Sequence, residues 1–178
     1  MNRLNSIAVW VRRMFHSRGF GIQSPTDYGF VCNVVNEHWP YYAYETIGNG
    51  DDWKSRKLGQ LYFRLANHIQ PASVLDLVGA EKYIRTACTK AKVLNSTEQV
   101  NENGGVDLAI VPIQTEYQQL FRLCKDNSVV VFEDIYKQEP LWHCIEYSAL
   151  VSVTYDLYYC GVVFFDKKRS KQNYIVNF

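Results

Sequence analysis

The sequence predicts a doubly wound α/β fold: a mainly parallel sheet with antiparallel strands at its end, preceded by helices. Three features carry that expectation. Residues 107–113 and 128–132 are near-continuous apolar runs, which suit strands buried on both faces, as in parallel sheets. From residue 54 onward, short apolar runs alternate with segments of helical periodicity. Beyond residue 150 the alternation stops and three apolar runs follow one another as strands.

Taken in order, residues 2–17 are expected to form an amphipathic helix, with Ile7, Trp10, Val11, Met14 and Phe15 at helical spacing. Ser24-Pro25 reads as an N-cap with proline at the first helical position, and Asp27 suits the first turn. This helix should run to about Glu37 and bury Phe30, Val31, Val34 and Val35. A third helix, residues 54–69, carries Leu58, Leu61, Tyr62, Leu65 and Ile69 on one face. Strands follow at 73–77 and 92–94, with a helix at 80–90 between them. Residues 101–105 read as a polar turn. Thr115 and Gln118 have the spacing of a capping box for the next helix. Pro140 starts a helix to about Leu150. Residues 151–159 and 162–166 form an antiparallel pair around Gly161, and 174–178 close as a last strand.

The 178 residues, 47% of them hydrophobic, suffice for one domain with a sizeable core. A net charge of +1 gives no global attraction to nucleic acid or acidic lipid, and no specific nucleic-acid partner is expected. The five cysteines are odd in number and form no Cys-x-x-Cys. That disfavours a disulfide framework or zinc site and predicts free thiols and no metal. No apolar run reaches the roughly 18 residues of a membrane span. The stretch from Ile7 to Val11 is too short for a secretory core. The expected location is the cytoplasm.

The segment Leu58-Gly59-Gln60-Leu61-Tyr62-Phe63-Arg64-Leu65, followed by Pro71 and Val74-Leu75-Asp76-Leu77, resembles the start of a class I SAM-dependent methyltransferase domain. More narrowly, Gly21-Ile22-Gln23-Ser24-Pro25 resembles the leading signature of small bacterial O-methyltransferase-like proteins of the Bacteroidetes type. The stretch from Asp156-Leu157-Tyr158-Tyr159 through Gly161 to Phe165 resembles their last hairpin. The resemblance covers most of the chain in patches. It implies a seven-stranded Rossmann-like sheet of methyltransferase type, with S-adenosylmethionine (SAM) above the carboxyl ends of the strands, where open α/β sheets hold ligands. On that reading residues 1–53 are a helical cap segment and residues 54–178 a shortened, truncated domain, together one structural unit.

Within the resemblance, Asp76 stands at the acid position after the first strand. Gly79 is the one glycine left of a loop that must approach the cofactor closely. Glycine is needed there because a Cβ blocks either the approach or the required φ; here Val78, Glu81 and Lys82 fill the loop. The second strand ends on Asn95-Ser96, leaving Asn95 or Glu98 to substitute for the acid that binds the ribose. From Asn95 to Val106 the chain is too short for a helix, a third strand and another helix, since a crossover alone takes about a dozen residues. Pro112-Ile113 replaces an Asp-Gly pair and can neither ligate a cation nor accept a proton. Glu133-Asp134 matches the family's paired acids and supplies the remaining catalytic candidates. Alone, the pair falls short of the about six oxygen ligands that Mg²⁺ or Ca²⁺ takes.

These losses predict a non-catalytic, degenerate methyltransferase-like protein that acts as a binding or scaffolding module on an unidentified protein partner, with no cofactor expected. The alternative is an active SAM-dependent O-methyltransferase with an atypical pocket. It would hold SAM through Asp76 and Gly79, work with Glu133 and Asp134, and close a lid of Tyr41, Tyr42 or Tyr44. A third reading starts from the first 26 residues, which hold Arg3, Arg12, Arg13, Arg18 and His16 and no acid. A basic amphipathic helix can bind an anionic or membrane surface. The plainer expectation is a cap helix with its apolar side on the domain and its arginines in solvent. A truncated sheet also leaves an edge on which two copies could pair as a homodimer. His143 and Cys144 point about 100° apart on a helix and make no nucleophile–base pair. His143 with Glu146 is expected to be a surface hydrogen bond.

Overall fold

α1 (Arg3–Arg12) opens the chain and a 3-10 turn, Met14–His16, follows it. This computed structural model describes residues 3–17, 19–102 and 104–178; Arg18 and the side chain of Arg3 lie outside that description. α2 (Pro25–Phe30) begins where Ser24 accepts the Asp27 N–H at 3.3 Å, and Pro25 occupies the first turn, where no N–H is needed. It runs on as a π-type turn, Val31–Val35, rather than as regular helix to Glu37. Two carbonyls at that end accept hydrogen bonds from the buried Arg64 guanidinium, Val34 at 2.6 Å and Val35 at 3.0 Å. Arg64 belongs to α3 (Trp53–Ile69), which Asp52 caps by accepting the Lys54 and Ser55 N–H groups.

Strands and helices then alternate: β1 (Ser73–Asp76), α4 (Glu81–Ala87), β2 (Lys92–Leu94), α5 (Thr97–Glu102), β3 (Val106–Pro112), α6 (Tyr117–Arg122), β4 (Cys124–Glu133) and α7 (Glu139–Glu146). β5 (Val153–Asp156), β6 (Cys160–Phe164) and β7 (Gln172–Ile175) finish the chain. The sheet order is β2-β1-β3-β4-β6-β5-β7. β6 runs antiparallel to β4 and β5, and every other pairing is parallel. Only α5 stands between β2 and β3, so among the described residues the sheet ends at β2 on that side. The count still reaches seven because β7 adds at the opposite edge.

Alternate residues of the central strands point to opposite faces. Leu108, Ile110, Val129 and Val131 pack with Phe30, Leu61, Leu65 and Ile84 from α2, α3 and α4. Ala109, Val111, Val130 and Phe132 pack with Val100, Leu120, Phe121, Trp142 and Ile145 from α5, α6 and α7. Both faces are covered, which is why these strands read as unbroken apolar runs.

Several local expectations give way. The turn expected at 101–105 starts later, because Val100 is buried against the second face and keeps Thr97–Glu102 helical. Thr115 and Gln118 form no capping box: the Thr115 N–H turns back onto the Pro112 carbonyl at 3.0 Å, and α6 starts after Glu116 without a side-chain cap. α7 ends at Glu146, where a bond from Ser148 N–H to the Ile145 carbonyl at 3.1 Å turns the chain towards β5. The hairpin turns at Leu157-Tyr158-Tyr159 rather than around Gly161. Tyr158 takes a φ of 68° and donates its N–H to Asp156 at 2.8 Å. Gly161 lies inside β6, where an added Cβ would overlap the Trp142 ring.

α1 also departs from the plain cap helix. Its polar contacts with the domain are made by the Trp10 carbonyl and, just past the helix, by Arg13, His16 and Ser17; Ile7, Trp10, Val11, Met14 and Phe15 are each largely exposed, although Ile7 and Trp10 also border a cavity against Trp53, Leu157 and Tyr159. Arg13, expected in solvent, pairs with Asp156 at 2.9 Å. Among the described residues no helix is long and apolar enough to cross a membrane, and no disulfide joins any of Cys32, Cys88, Cys124, Cys144 and Cys160.

Candidate functional site

The strand order reverses between β1 and β3, and open α/β sheets hold ligands outside the carboxyl ends at such a point. α3 crosses that edge. Lys54, Leu58 and Tyr62 recur every four residues on one side of it, and with Val78, Gly79, Tyr83 and Glu133 they line a cleft of about 270 Å³.

The structure gathers Asp76, Gly79, Glu133 and Asp134 at this edge but engages each of them. Asp76, buried at the end of β1, accepts the N–H groups of Val78 at 3.1 Å and Gly79 at 3.0 Å through one carboxylate oxygen. Gly79 takes a φ of 82°, which explains a glycine from the backbone alone; a Cβ there would meet nothing within 4 Å. Glu133 ends β4 in register with Pro112 and accepts the Tyr62 hydroxyl. Asp134 adopts a left-handed conformation, φ 63°, and pairs with Lys54 and, at 2.7 Å, with Lys137.

The two neighbouring acids are driven in opposite directions. Burial pushes the Glu133 carboxyl above its ordinary range; the Tyr62 hydrogen bond and the Lys54 charge only partly offset that, and the charges of Asp134 and Asp76 add to it. Burial also works to raise Asp134, but hydrogen bonds from Lys137 and Lys54 outweigh it and hold Asp134 below the usual range. Tyr62 is raised well above the ordinary phenol value, mainly by burial, so it remains a hydrogen-bond donor to Glu133. At the cleft mouth Asp51 accepts from Lys82 and from the Tyr83 hydroxyl, each at 2.7 Å, and both bonds lower its pKa, the Lys82 bond most. The Tyr83 ring lies flush against Gly59 of α3, where a Cβ would overlap it.

The other candidates are placed elsewhere. The Asn95 backbone N–H donates to the Gln99 side chain at 3.0 Å. Glu98 is held below its usual range by its own backbone N–H and by Ser96, as a helix-start carboxylate. The lid of tyrosines does not form over the cleft: Tyr41 and Tyr44 pack edge-on against Phe63, and Tyr42 is exposed. His143 bonds Glu146 at 2.8 Å on α7, as its spacing predicts. Among the described residues no group of three or more His, Cys, Asp or Glu could hold a metal ion.

No family model and no curated protein matches the sequence. Among solved structures, the SAH-bound methyltransferase PaMTH1 of Podospora anserina is similar at a TM-score of 0.50 and 9% identity, over 81% of this chain and 96% of that one. This chain has a class I methyltransferase-like fold. Cofactor-bound Rv0187 from MTB is similar over 81% of this chain and 99% of its own, at 12% identity and a TM-score of 0.49.

The methyltransferase-like fold brings Asp51, Lys54, Tyr62 and Tyr83 into the site; of these the sequence points only to Tyr83, as a residue that could fill the ligand volume. Tyr62 reads as one more apolar position of α3, because its hydroxyl adds nothing to a periodicity. The available signal was Lys54 and Tyr62 eight residues apart, two polar tips on the side that also carries Leu58. Such a pattern says that the helix edge meets polar groups, but not which ones.

Proposed function

We propose that the chain keeps the methyltransferase-like fold without SAM chemistry and acts as a binding or scaffolding module. One observation carries this reading: at the carboxyl edge of the sheet the polar groups already engage one another, Glu133 alone through a single hydroxyl. Asp76 accepts the loop's own amides, Glu133 the Tyr62 hydroxyl, Asp134 two lysines, and Asp51 Lys82 with Tyr83. A ligand entering there must break bonds already made, and an unpaired buried polar group costs about 1–3 kcal/mol. The cleft of about 270 Å³ lies just below the roughly 300–1,000 Å³ of small-molecule sites. Pro112 stands in register beside Glu133 and offers no hydrogen-bond donor. These residues do not fit SAM. Isothermal titration of the full chain with SAM, and with SAH as PaMTH1 binds it, should give no heat of binding. Saturable binding in the micromolar range would overturn the proposal.

A second reading, an active O-methyltransferase with an atypical pocket, has one observation on its side. Glu133 is a carboxyl whose pKa is raised and that lines the cleft, and such shifts cluster at catalytic sites. It requires SAM-dependent methyl transfer that Asp76→Asn or Glu133→Gln abolishes; transfer unaffected by both would reject it.

A further inference from the structure

We propose that α1 is an interfacial anchor that lays its exposed apolar stripe on a membrane surface bearing anionic lipid. Ile7, Trp10, Val11, Met14 and Phe15 follow the i, i+3, i+4, i+7, i+8 rule of a helix's buried face. In the structure Ile7, Trp10 and Val11 stand on α1 and Met14 and Phe15 on the 3-10 turn after it; Ile7 and Trp10 border a cavity against the domain, yet Ile7 is still 59% and Phe15 74% exposed, and Phe20 just beyond is 79% exposed. The segment is held to the domain through polar contacts. Arg13 pairs with Asp156 at 2.9 Å, the Asn177 N–H donates to the His16 carbonyl at 3.0 Å, and the Asn177 side chain reaches the Trp10 carbonyl at 3.4 Å. Ser17 adds a parallel bridge to Asn177. The docking is therefore specific, and it leaves the larger part of the apolar stripe in solvent.

Charge chooses the occupant. No acid occurs before Asp27, Arg12 is exposed beside the stripe, and Asp156, which the segment does touch, is neutralised by Arg13. A helix with aromatic and aliphatic residues on one side and arginine at its flank lies in the plane of a lipid interface, its apolar side sunk about 5–10 Å. A second copy of the chain is a poorer occupant. A two-fold contact sets the same patch against itself, so the Arg12 side chains would converge with no acid from the segment between them.

The test uses the full chain and vesicles of phosphatidylcholine, with or without phosphatidylserine, read by flotation, with sedimentation velocity alongside. The chain should float with phosphatidylserine vesicles and not with phosphatidylcholine alone, and the binding should weaken as salt rises. Val11→Asp with Phe15→Asp changes two exposed positions and should abolish flotation while thermal unfolding stays as in the wild type. Arg12→Gln should weaken partition about fivefold, the effect of one arginine near an anionic surface. No flotation with either vesicle, equal flotation with both, or flotation that survives Val11→Asp/Phe15→Asp would overturn the proposal. A dimer that those substitutions dissociate, without vesicle binding, would overturn it in favour of a second copy.

Discussion

Asp27, buried near the β7 edge of the sheet, and Glu133, half-buried at its carboxyl end, are both carboxylates that accept a tyrosine hydroxyl. Asp27, 3% exposed, accepts the Tyr155 and Tyr174 hydroxyls and pairs with the Arg169 guanidinium, so its charge and lone pairs are well matched. Glu133 has the Tyr62 hydroxyl, while the nearby ammonium of Lys54 goes to Asp134 instead. The first arrangement is a pin: it ties α2 to β5, β7 and the segment joining β6 to β7. The second is incomplete, and the carboxyl responds by holding its proton more tightly. A fully paired acid holds a fold together, whereas a partly paired one leaves chemistry unspent where ligands of this fold type bind.

The largest expected effect tests the pin. Asp27→Ala leaves the Arg169 guanidinium facing two hydroxyls and no charge. Breaking a buried pair from one side costs about 3–5 kcal/mol, and the 21% exposure of the Arg169 side chain puts the expected loss at the lower end. Urea unfolding should show a fall of about 3 kcal/mol with an unchanged m-value. A loss below about 1 kcal/mol, the scale of an ordinary surface pair, would erase the contrast between the two acids.

How these residues read in the sequence follows from the same contrast. The layered fold was legible because burial on both faces leaves a pattern in the chain itself: 107–113 and 128–132 need no partner to be recognised as core strands. Asp76, Gly79, Glu133 and Asp134 could be placed at one edge for a related reason, since each ends a strand or follows one. What joins them could not be read. The Tyr62–Glu133 bond spans 71 residues and the Tyr155–Asp27 bond 128. Asp27 reads locally as an ordinary first-turn acid. Gly161 misleads in the opposite sense: glycine suggests a turn, but here it makes room for the Trp142 ring inside β6, and Tyr158 takes the positive φ.

A middle-sized effect tests how firmly the cleft wall is set. Gly59→Ala drives a methyl group into the Tyr83 ring, and overpacking of this kind costs about 1–3 kcal/mol. In a Tyr83→Ala background the added methyl should cost almost nothing, so a double-mutant cycle read by urea unfolding should return most of the single-mutant loss as coupling. If Gly59→Ala proves neutral in the wild-type background, Tyr83 moves aside readily and the cleft can widen towards ligand size. The carboxyl end of the sheet would then be softer than its bonding suggests.

The smallest effect concerns Glu133 alone and appears in pH dependence rather than in absolute stability. Its folded-state pKa is raised above the ordinary 4.5, first by burial. The sign follows from linkage: below 4.5 the carboxyl is neutral in both states and its contribution to stability is complete. As pH rises past that value the unfolded chain ionises first, and the contribution is lost as pH climbs through the raised folded pKa. Glu133→Gln keeps an acceptor for the Tyr62 hydroxyl and removes the titration. The variant should therefore gain stability relative to the wild type between pH 4.5 and neutrality, as read by urea midpoints across that range. Asp134 and Asp51, held below their usual range, lose their contributions as pH falls, and they do so in both proteins, so the difference isolates Glu133. A difference that stays flat with pH would mean that Tyr62 and Lys54 satisfy Glu133 as fully as Asp27 is satisfied, and the cleft would hold no unspent acid.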